Sequence, residues 1–401
     1  MMIHLMSSEK LKVIYLKKID LLANGLKISN TFYESMKNFG IDDFSKGRKG
    51  GAGPAGGRYF LFENESLVNV PLWGSKSEKS YLVLKEIVRE DPNKKGFYYC
   101  RILNEKTGQS YDDLRLIPSP DEYNNTENEK GILNNQVALI HGTSCLASTI
   151  IQRCKYWRDG KQCQFCGIEL NLKSGGTTKW KTAEQLIDAI ESAKNYDLCD
   201  HITLTAGTLD TEDKGAENYI EVVSKIKNKF PDLPVHIQIE AFTDYSLLTR
   251  MKKVGVDTIG IHLEIPNDDL RNKYCPGKAE IPREVFEDLW KKAVEIFGKG
   301  QVSTFILVGF DENIDELIEY IDKIISWGIV PNIMPVRYIL NTNLDVKWTN
   351  YEDMEKINNA AAKSFIRHGL NPTKNKAGCI RCSGCSAIND AYTYHSERVK
   401  K

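Results

Sequence analysis

Apolar positions change their spacing twice along this chain, and each change marks a different kind of element. From Ser8 to Ala23 the residues Leu11, Ile14, Tyr15, Ile19 and Leu22 recur at helical spacing, which predicts a helix with one buried face. Between Gly47 and residue 120 the apolar runs become short. Arg58–Phe62, Val68–Trp73, Tyr81–Leu84, Gly96–Leu103 and Leu114–Ile117 predict strands of a small β-rich region. From Gln136 onward, strand-like runs alternate with amphipathic helices. The strands are Val137–Ile140, His201–Thr205, Val235–Glu240, Thr258–Leu263, Val302–Val308 and Ile333–Tyr338. The helices are Ala183–Asn195, Gly215–Lys229, Tyr245–Val254, Arg283–Phe297 and Ile314–Trp327. That alternation predicts an α/β fold with a parallel sheet or barrel, two units short of an eight-fold TIM barrel. A further helix is expected over Tyr351–Gly369.

Two polar stretches punctuate this rhythm. Asp121 to Gly131 reads as a linker. Gly47 to Gly57 holds six glycines and precedes a strand. Its backbone amides could face an anion, but no Gly-Lys-Ser/Thr follows, so it is no Walker loop. A flexible linker fits equally well. The expected organisation is residues 1–130 as N-terminal helix plus β-rich domain, 131–345 as the barrel, and 346–401 as a C-terminal extension.

Charge narrows the partners. The 401 residues carry 54 basic and 54 acidic side chains, which gives no electrostatic case for nucleic acid or an anionic membrane. No apolar run approaches the ~18 residues of a membrane span, and Met1–Met6 is too short for a signal-peptide core. A cytoplasmic setting is expected.

The ten cysteines carry the chemistry, because six of them fall in two tight sets. Cys154, Cys163 and Cys166 are spaced C-x8-C-x2-C, and Cys379, Cys382 and Cys385 are spaced C-x2-C-x2-C. Such clustering in a large chain points to metal in a reducing compartment. Soft thiolates select zinc, copper(I) or iron–sulfur clusters. Zinc would need a fourth ligand, for which Cys145 stands upstream of the first set and His395 downstream of the second. Cys100 and Cys199 read as small buried hydrophobes. Cys145 and Cys275 read as bystanders, with a substrate-facing thiol the other reading of each.

A three-cysteine loop between the first strand and first helix of a strand–helix repeat resembles the radical SAM superfamily. The usual spacing there is C-x3-C-x2-C, from which the gap between Cys154 and Cys163 departs. The resemblance implies a partial (β/α)6 TIM-type barrel and a 4Fe–4S cluster on Cys154, Cys163 and Cys166. One iron would be left to the amino and carboxylate groups of S-adenosylmethionine. Thr205-Ala206-Gly207-Thr208 stands where that superfamily has a Gly-Gly-Glu-like segment, so Thr205, Gly207 and Thr208 would meet the cofactor. Ile261-His-Leu-Glu-Ile265, the turn with Pro276 and Gly277, Phe305–Glu312 and Pro335-Val-Arg-Tyr338 resemble lipoyl synthase. That likeness implies the biotin- and lipoyl-synthase branch, with Glu264 and Arg337 contacting S-adenosylmethionine. The stretch Arg48-Lys-Gly-Gly-Ala-Gly-Pro54 and the Cys379–Cys385 motif are also similar to a radical SAM subgroup encoded beside nitrilase-type genes.

The expected function is cleavage of S-adenosylmethionine to a 5′-deoxyadenosyl radical and hydrogen abstraction from a substrate carbon. Attachment of sulfur would follow, from or at a second 4Fe–4S cluster on Cys379, Cys382 and Cys385. The substrate would be a small molecule or carrier-bound, and the electron donor of the flavodoxin or ferredoxin kind. Two other readings stay open: oxidation or peptide modification with the second cluster as electron relay, and a zinc-stabilised binding module without catalysis.

Overall fold

In the computed structural model, residues 6–41, 57–339, 342, 344, 346 and 348–399 are described. The glycine-rich stretch up to Gly56 lies outside them. The chain opens with helix α1 (Ser8–Asn24), capped by Ser7, whose Oγ accepts from the Lys10 amide. Strand β1 (Lys27–Ile28) and helix α2 (Asn30–Asn38) follow. Then come β2 (Gly57–Leu61), β3 (Leu67–Pro71), β4 (Leu82–Asp91), β5 (Lys94–Asn104) and β6 (Ser110–Leu116). These strands form one six-stranded sheet in the order β1-β4-β5-β6-β2-β3.

The second sheet has seven strands: β7 (Leu139–His141), β8 (Cys145–Ile151), β9 (His201–Ala206), β10 (Val235–Ile239), β11 (Thr258–Ile261), β12 (Val302–Val308) and β13 (Ile329–Pro335). Their order is β13-β12-β11-β10-β9-β8-β7. Strands β8 to β13 are all parallel, with β7 antiparallel at the edge. Helices α3 (Ala183–Asn195), α4 (Ala216–Lys229), α5 (Ser246–Lys253), α6 (Arg283–Phe297) and α7 (Ile314–Ser326) connect these strands. This is a partial TIM-type barrel of six strand–helix steps. Helix α3 shows why the local sequence suffices. The Thr182 hydroxyl accepts from the Gln185 amide at 3.3 Å, and Gln185 returns a bond from the Thr182 amide at 2.9 Å. Leu186, Ala189, Ile190 and Ala193 are buried along one face.

The first barrel strand is not where the pattern placed it. Asn134–Val137 is a helical turn, and β7 is a short hairpin partner of β8. The strand entering the cysteine loop is Cys145–Ile151, buried at every position, so neither alternation nor a strongly apolar run marks it. The last strand begins at Ile329, after Gly328, earlier than the Ile333 expected, and ends at Pro335. Asp121 to Gly131 is anchored at its first half: Tyr123 is buried, and its hydroxyl donates to the Ala138 carbonyl at 3.0 Å.

Helix α8 (Tyr351–Arg367), the short helix α9 (Gly378–Cys382) and helix α10 (Ile388–Val399) close the chain. Tyr15 of α1 stacks on Tyr394 of α10 at 6.1 Å and donates to Asn359 of α8 at 3.1 Å. The N-terminal helix and the C-terminal helices thus form one packed layer. No helix among the described residues is long and apolar enough to cross a membrane.

Candidate functional site

The first cysteine set lies on the loop leaving the C-terminal end of β8, the end where parallel barrels carry their chemistry. Glu169 accepts from the Cys154 amide at 3.3 Å and pairs with Arg153 at 3.2 Å. Gly207 sits so close that a Cβ there would lie 2.0 Å from the Arg153 carbonyl oxygen, so only glycine fits. Its amide donates to Ile151 at 2.8 Å, and the Lys155 amide donates to Thr208 at 2.8 Å. The Thr205–Thr208 segment therefore positions the cysteine loop and also lines the cavity beside it.

A second loop clamps the first from above. A Cβ on Gly277 would meet the Tyr156 ring at 2.2 Å, and the Gly277 amide donates to Lys161 at 3.0 Å. The donor atoms of Cys163, Glu264 and Cys275 all lie within 4.8 Å of one another. Glu264 holds φ at +70°, a strained conformation for a non-glycine residue, and such strain gathers at functional positions. Its carboxylate pairs with Lys278 at 3.1 Å, and Lys278 also donates to the His262 carbonyl at 3.0 Å. Burial alone would lower the Lys278 pKa, but the Glu264 carboxylate and neighbouring thiols hold it above its ordinary range. Tyr156 donates to Glu240 Oε1 at 2.6 Å, while Glu240 Oε2 is buried without a hydrogen-bond partner.

The second set is held by the opposite end of the sheet. The segment entering α9 meets the first residues of the strands. The Thr258 hydroxyl donates to the Ala377 carbonyl at 3.3 Å, and a Cβ on Gly378 would lie 2.3 Å from the His236 ring. Arg381 pairs with Asp200 at 3.2 Å, next to His201. Gln238 donates its amide to Cys379 Sγ at 3.2 Å. From the other side, the Asn69 amide of β3 donates to the Gly384 carbonyl at 2.7 Å, and Tyr59 of β2 packs over Gly384. Lys18, fully buried on α1, pairs with Asp390 at 2.6 Å. It also reaches Ser383, whose φ of +56° turns the cysteine motif.

Both sets open onto one cavity of about 380 Å³. Cys154, Cys163 and Cys166 line one part of it, and Cys379 and Cys385 another. Thr203, Gln238, Glu240, His262 and Phe305 lie among its walls. Strand β8 has seven residues, and at ~3.3 Å per residue its run from Cys145 is roughly 20 Å long. That length sets the scale of the barrel interior from one end to the other.

Of the residues singled out in the sequence, Thr205, Gly207, Thr208 and Glu264 gather around the first set. Arg337 lines the cavity but is committed elsewhere. Its guanidinium donates to Asn69 Oδ1 at 2.9 Å and to the Asn69 carbonyl, and its charge acts on Cys385. The structure thus sets Arg337 beside the second cysteines. His395 Nε2 bonds to Asn359 Oδ1 at 2.7 Å. Cys275 lies within 4.8 Å of Cys163, and Cys145 borders the same pocket as Cys382. Lys278, Tyr156, Tyr59 and Gln238 carried no signal in the sequence, because each meets its partners only across the folded barrel.

The thiols suit a soft metal centre. Burial pushes Cys166 up to about 12 and raises Cys154 and Cys379, while the hydrogen bond to Cys275, then burial, raises Cys163. Cys382 is the exception, held below the ordinary thiol range by the hydrogen bond from Cys145. Metal binding would release the remaining protons. For S-adenosylmethionine, the orphaned Glu240 oxygen in the cavity wall would suit a hydrogen-bond donor such as its amino group.

Residues 159–324 match the radical SAM superfamily model. The chain is 31% identical over 93 residues to bacteriochlorophyllide c C-7(1)-hydroxylase of Chlorobaculum limnaeum, covering 23% of each chain. It is 27% identical over 150 residues to 5-amino-6-(D-ribitylamino)uracil–L-tyrosine 4-hydroxyphenyl transferase 2 of Methanosarcina acetivorans, covering 33% of this chain and 38% of that one. Lipoyl synthase of Oceanobacillus iheyensis is 23% identical over 212 residues, 51% of this chain and 64% of that one. The chain thus spans 23% and 38% of the length of the first two of these relatives. The matched residues take in every strand and helix from α3 to β12: this stretch of the chain carries a radical SAM superfamily domain.

Proposed function

We propose that this protein is a radical SAM enzyme that abstracts hydrogen from a substrate carbon inside the barrel, between two iron–sulfur sites. The observation that carries this reading is the shared cavity: Cys154, Cys163, Cys166, Cys379 and Cys385 line the same space. Cys154, Cys163 and Cys166 would hold the cluster that binds S-adenosylmethionine. When bound, this pair supplies a 5′-deoxyadenosyl radical, which takes a hydrogen atom from unactivated carbon. The chain's own residues orient and enclose. Thr205 and Thr208 present hydroxyls beside the first set, and Glu264 with Lys278 fixes the neighbouring wall. His262, buried and stacked on Phe305 at 3.7 Å, is kept neutral by burial and narrows the cavity. Phe165 and Phe310, 5.7 Å apart, cover the cysteine loop with apolar surface that excludes water.

The second set would hold the other cluster, facing the substrate. We read it as the acceptor of the electron that the substrate radical gives up as it loses a proton, so that the substrate is oxidised overall. Attachment of sulfur is the second reading, favoured by Cys379 and Cys385 lining the substrate cavity directly. The substrate would be a small molecule or the reactive end of a carrier-bound one, and a flavodoxin or ferredoxin would supply electrons.

The test is anaerobic turnover of the reduced protein with S-adenosylmethionine and cell-extract metabolites, with heavy sulfur placed in the clusters. The reading expects 5′-deoxyadenosine and methionine, repeated turnovers and no heavy sulfur in product. Heavy sulfur in product and arrest near one turnover would establish the sulfur reading. Absence of 5′-deoxyadenosine would remove both.

A further inference from the structure

We infer that Cys145 is the fourth thiolate of the C-terminal site, so that Cys145, Cys379, Cys382 and Cys385 together hold one 4Fe–4S cluster with every iron capped by protein. The inference rests on the reading of Cys379–Cys385 as a cluster site and specifies how that cluster is bound. Three observations carry it.

The first is proximity. Cys145 is 2% exposed at the first position of β8, and it borders the same pocket as Cys382. Cys379 also lies within its electrostatic reach, and the Tyr59 hydroxyl lies in the field of Cys385, Cys382 and Cys145 together. The second is direction. Side chains two residues apart share a strand face, and Ala147 lines the central cavity. Cys145 therefore points into the barrel, where its Sγ lies 3.5 Å from Thr203 Oγ1. The third is motif chemistry. A tight C-x2-C-x2-C run completed by a remote cysteine is the ligand pattern of ferredoxin-type clusters. Within α9 and the Ser383 turn three thiolates share one local segment, and the fourth comes from a barrel strand.

Cys275 stands beside Cys163 in a similar way, yet it differs in its surroundings. It is packed with Ile265, Tyr274, Phe310 and Val336 in an apolar cluster and does not line the cavity. Cys145 instead borders a polar pocket of about 370 Å³, which it shares with Cys382, Asp200, Arg381 and Asp390. Cys379 and Cys385 face the substrate cavity, whereas Cys145 and Cys382 face this outer pocket. The four thiolates span the partition between the two spaces. A cluster there leaves no iron for substrate to ligate, and it connects the substrate side to a polar pocket on the other side. That is the arrangement of an electron exit.

The test uses full-length protein with Cys154, Cys163 and Cys166 replaced by Ala, reconstituted anaerobically with iron and sulfide. This parent should hold about four irons, the content of one cubane. Adding Cys145→Ala should reduce that to about three and give the paramagnetic signature of an oxidised 3Fe–4S cluster. Adding Cys145→Ser instead should retain about four irons with an altered signal, because an alkoxide replaces the thiolate. About four irons and an unchanged spectrum in the Cys145→Ala protein would overturn the inference. A parent that binds zinc and no iron would overturn the cluster reading itself, a failure visible before Cys145 is touched.

Discussion

The two cysteine sets share a cavity but differ in what holds them. The first is framed by loops at the C-terminal end of the sheet. Its support is local to the barrel: Glu169 on the Cys154 amide, Gly207 against Arg153, and Gly277 against Tyr156. The second is a junction of the whole chain. Helix α1 sends Lys18, β2 and β3 send Tyr59 and Asn69, the strand starts send His236 and Thr258, and α10 sends Asp390. The first site can therefore be built by one domain. The second exists only once N-terminal sheet, barrel and C-terminal helices have docked, so metal bound there would report on tertiary assembly.

The strongest way to break this comparison is at the first set. Cys163→Ala should reduce 5′-deoxyadenosine formation by well over the ~100-fold typical of losing a partner outside the ligand sphere. Iron at the second set should persist, read as about four irons per chain. Next comes Lys18→Met. It leaves the Asp390 carboxylate, 10% exposed, without its buried cation. Breaking such a pair costs about 3–5 kcal/mol, measurable by urea unfolding. Iron should be lost from the second set while 5′-deoxyadenosine formation survives.

Acid should loosen the same junction. Burial depresses His201, His236 and His262, with His236 pushed down to about 3. Unfolded imidazoles take up protons near pH 6.5 while these folded ones do not, so the unfolded state binds more protons below that pH. Stability conferred by the neutral rings is complete above pH 6.5 and falls as pH drops. The slope approaches about 1.4 kcal/mol per pH unit for each such histidine. His236→Asn should flatten the slope measured by unfolding between pH 6.5 and 4.5.

The smallest effect should come from Gln238→Leu. It removes the amide that donates to Cys379 Sγ. Hydrogen bonds to cluster sulfurs stabilise the reduced, more negative state. Losing one worth about 1 kcal/mol should lower the second site's potential by roughly 40 mV and leave the first unchanged. Equal shifts at both sites in a redox titration would contradict the separate placement of the two sets.

Legibility followed the same division. Helices α3, α4, α6 and α7 were readable because caps and apolar stripes are local, as Thr182 and Gln185 show. The first cysteine set was readable because its members lie within one short loop. Strand β8 was missed because a wholly buried run of small and β-branched residues has no two-residue rhythm. The reach of Arg337 to Asn69 was not readable because it depends on how β3 docks. Cys145 looked isolated because it and Cys382 come to border one pocket only after the chain has closed the barrel.

The central claim is that one cavity lies between two iron–sulfur sites. Iron counting with Mössbauer spectroscopy tests it most directly, on anaerobically reconstituted wild type and on the Cys154, Cys163 and Cys166 triple Ala variant. The account predicts about eight irons in the first and about four in the second, all in cubane clusters. About four irons in wild type and none in the variant, or zinc in place of the second cluster, would contradict it.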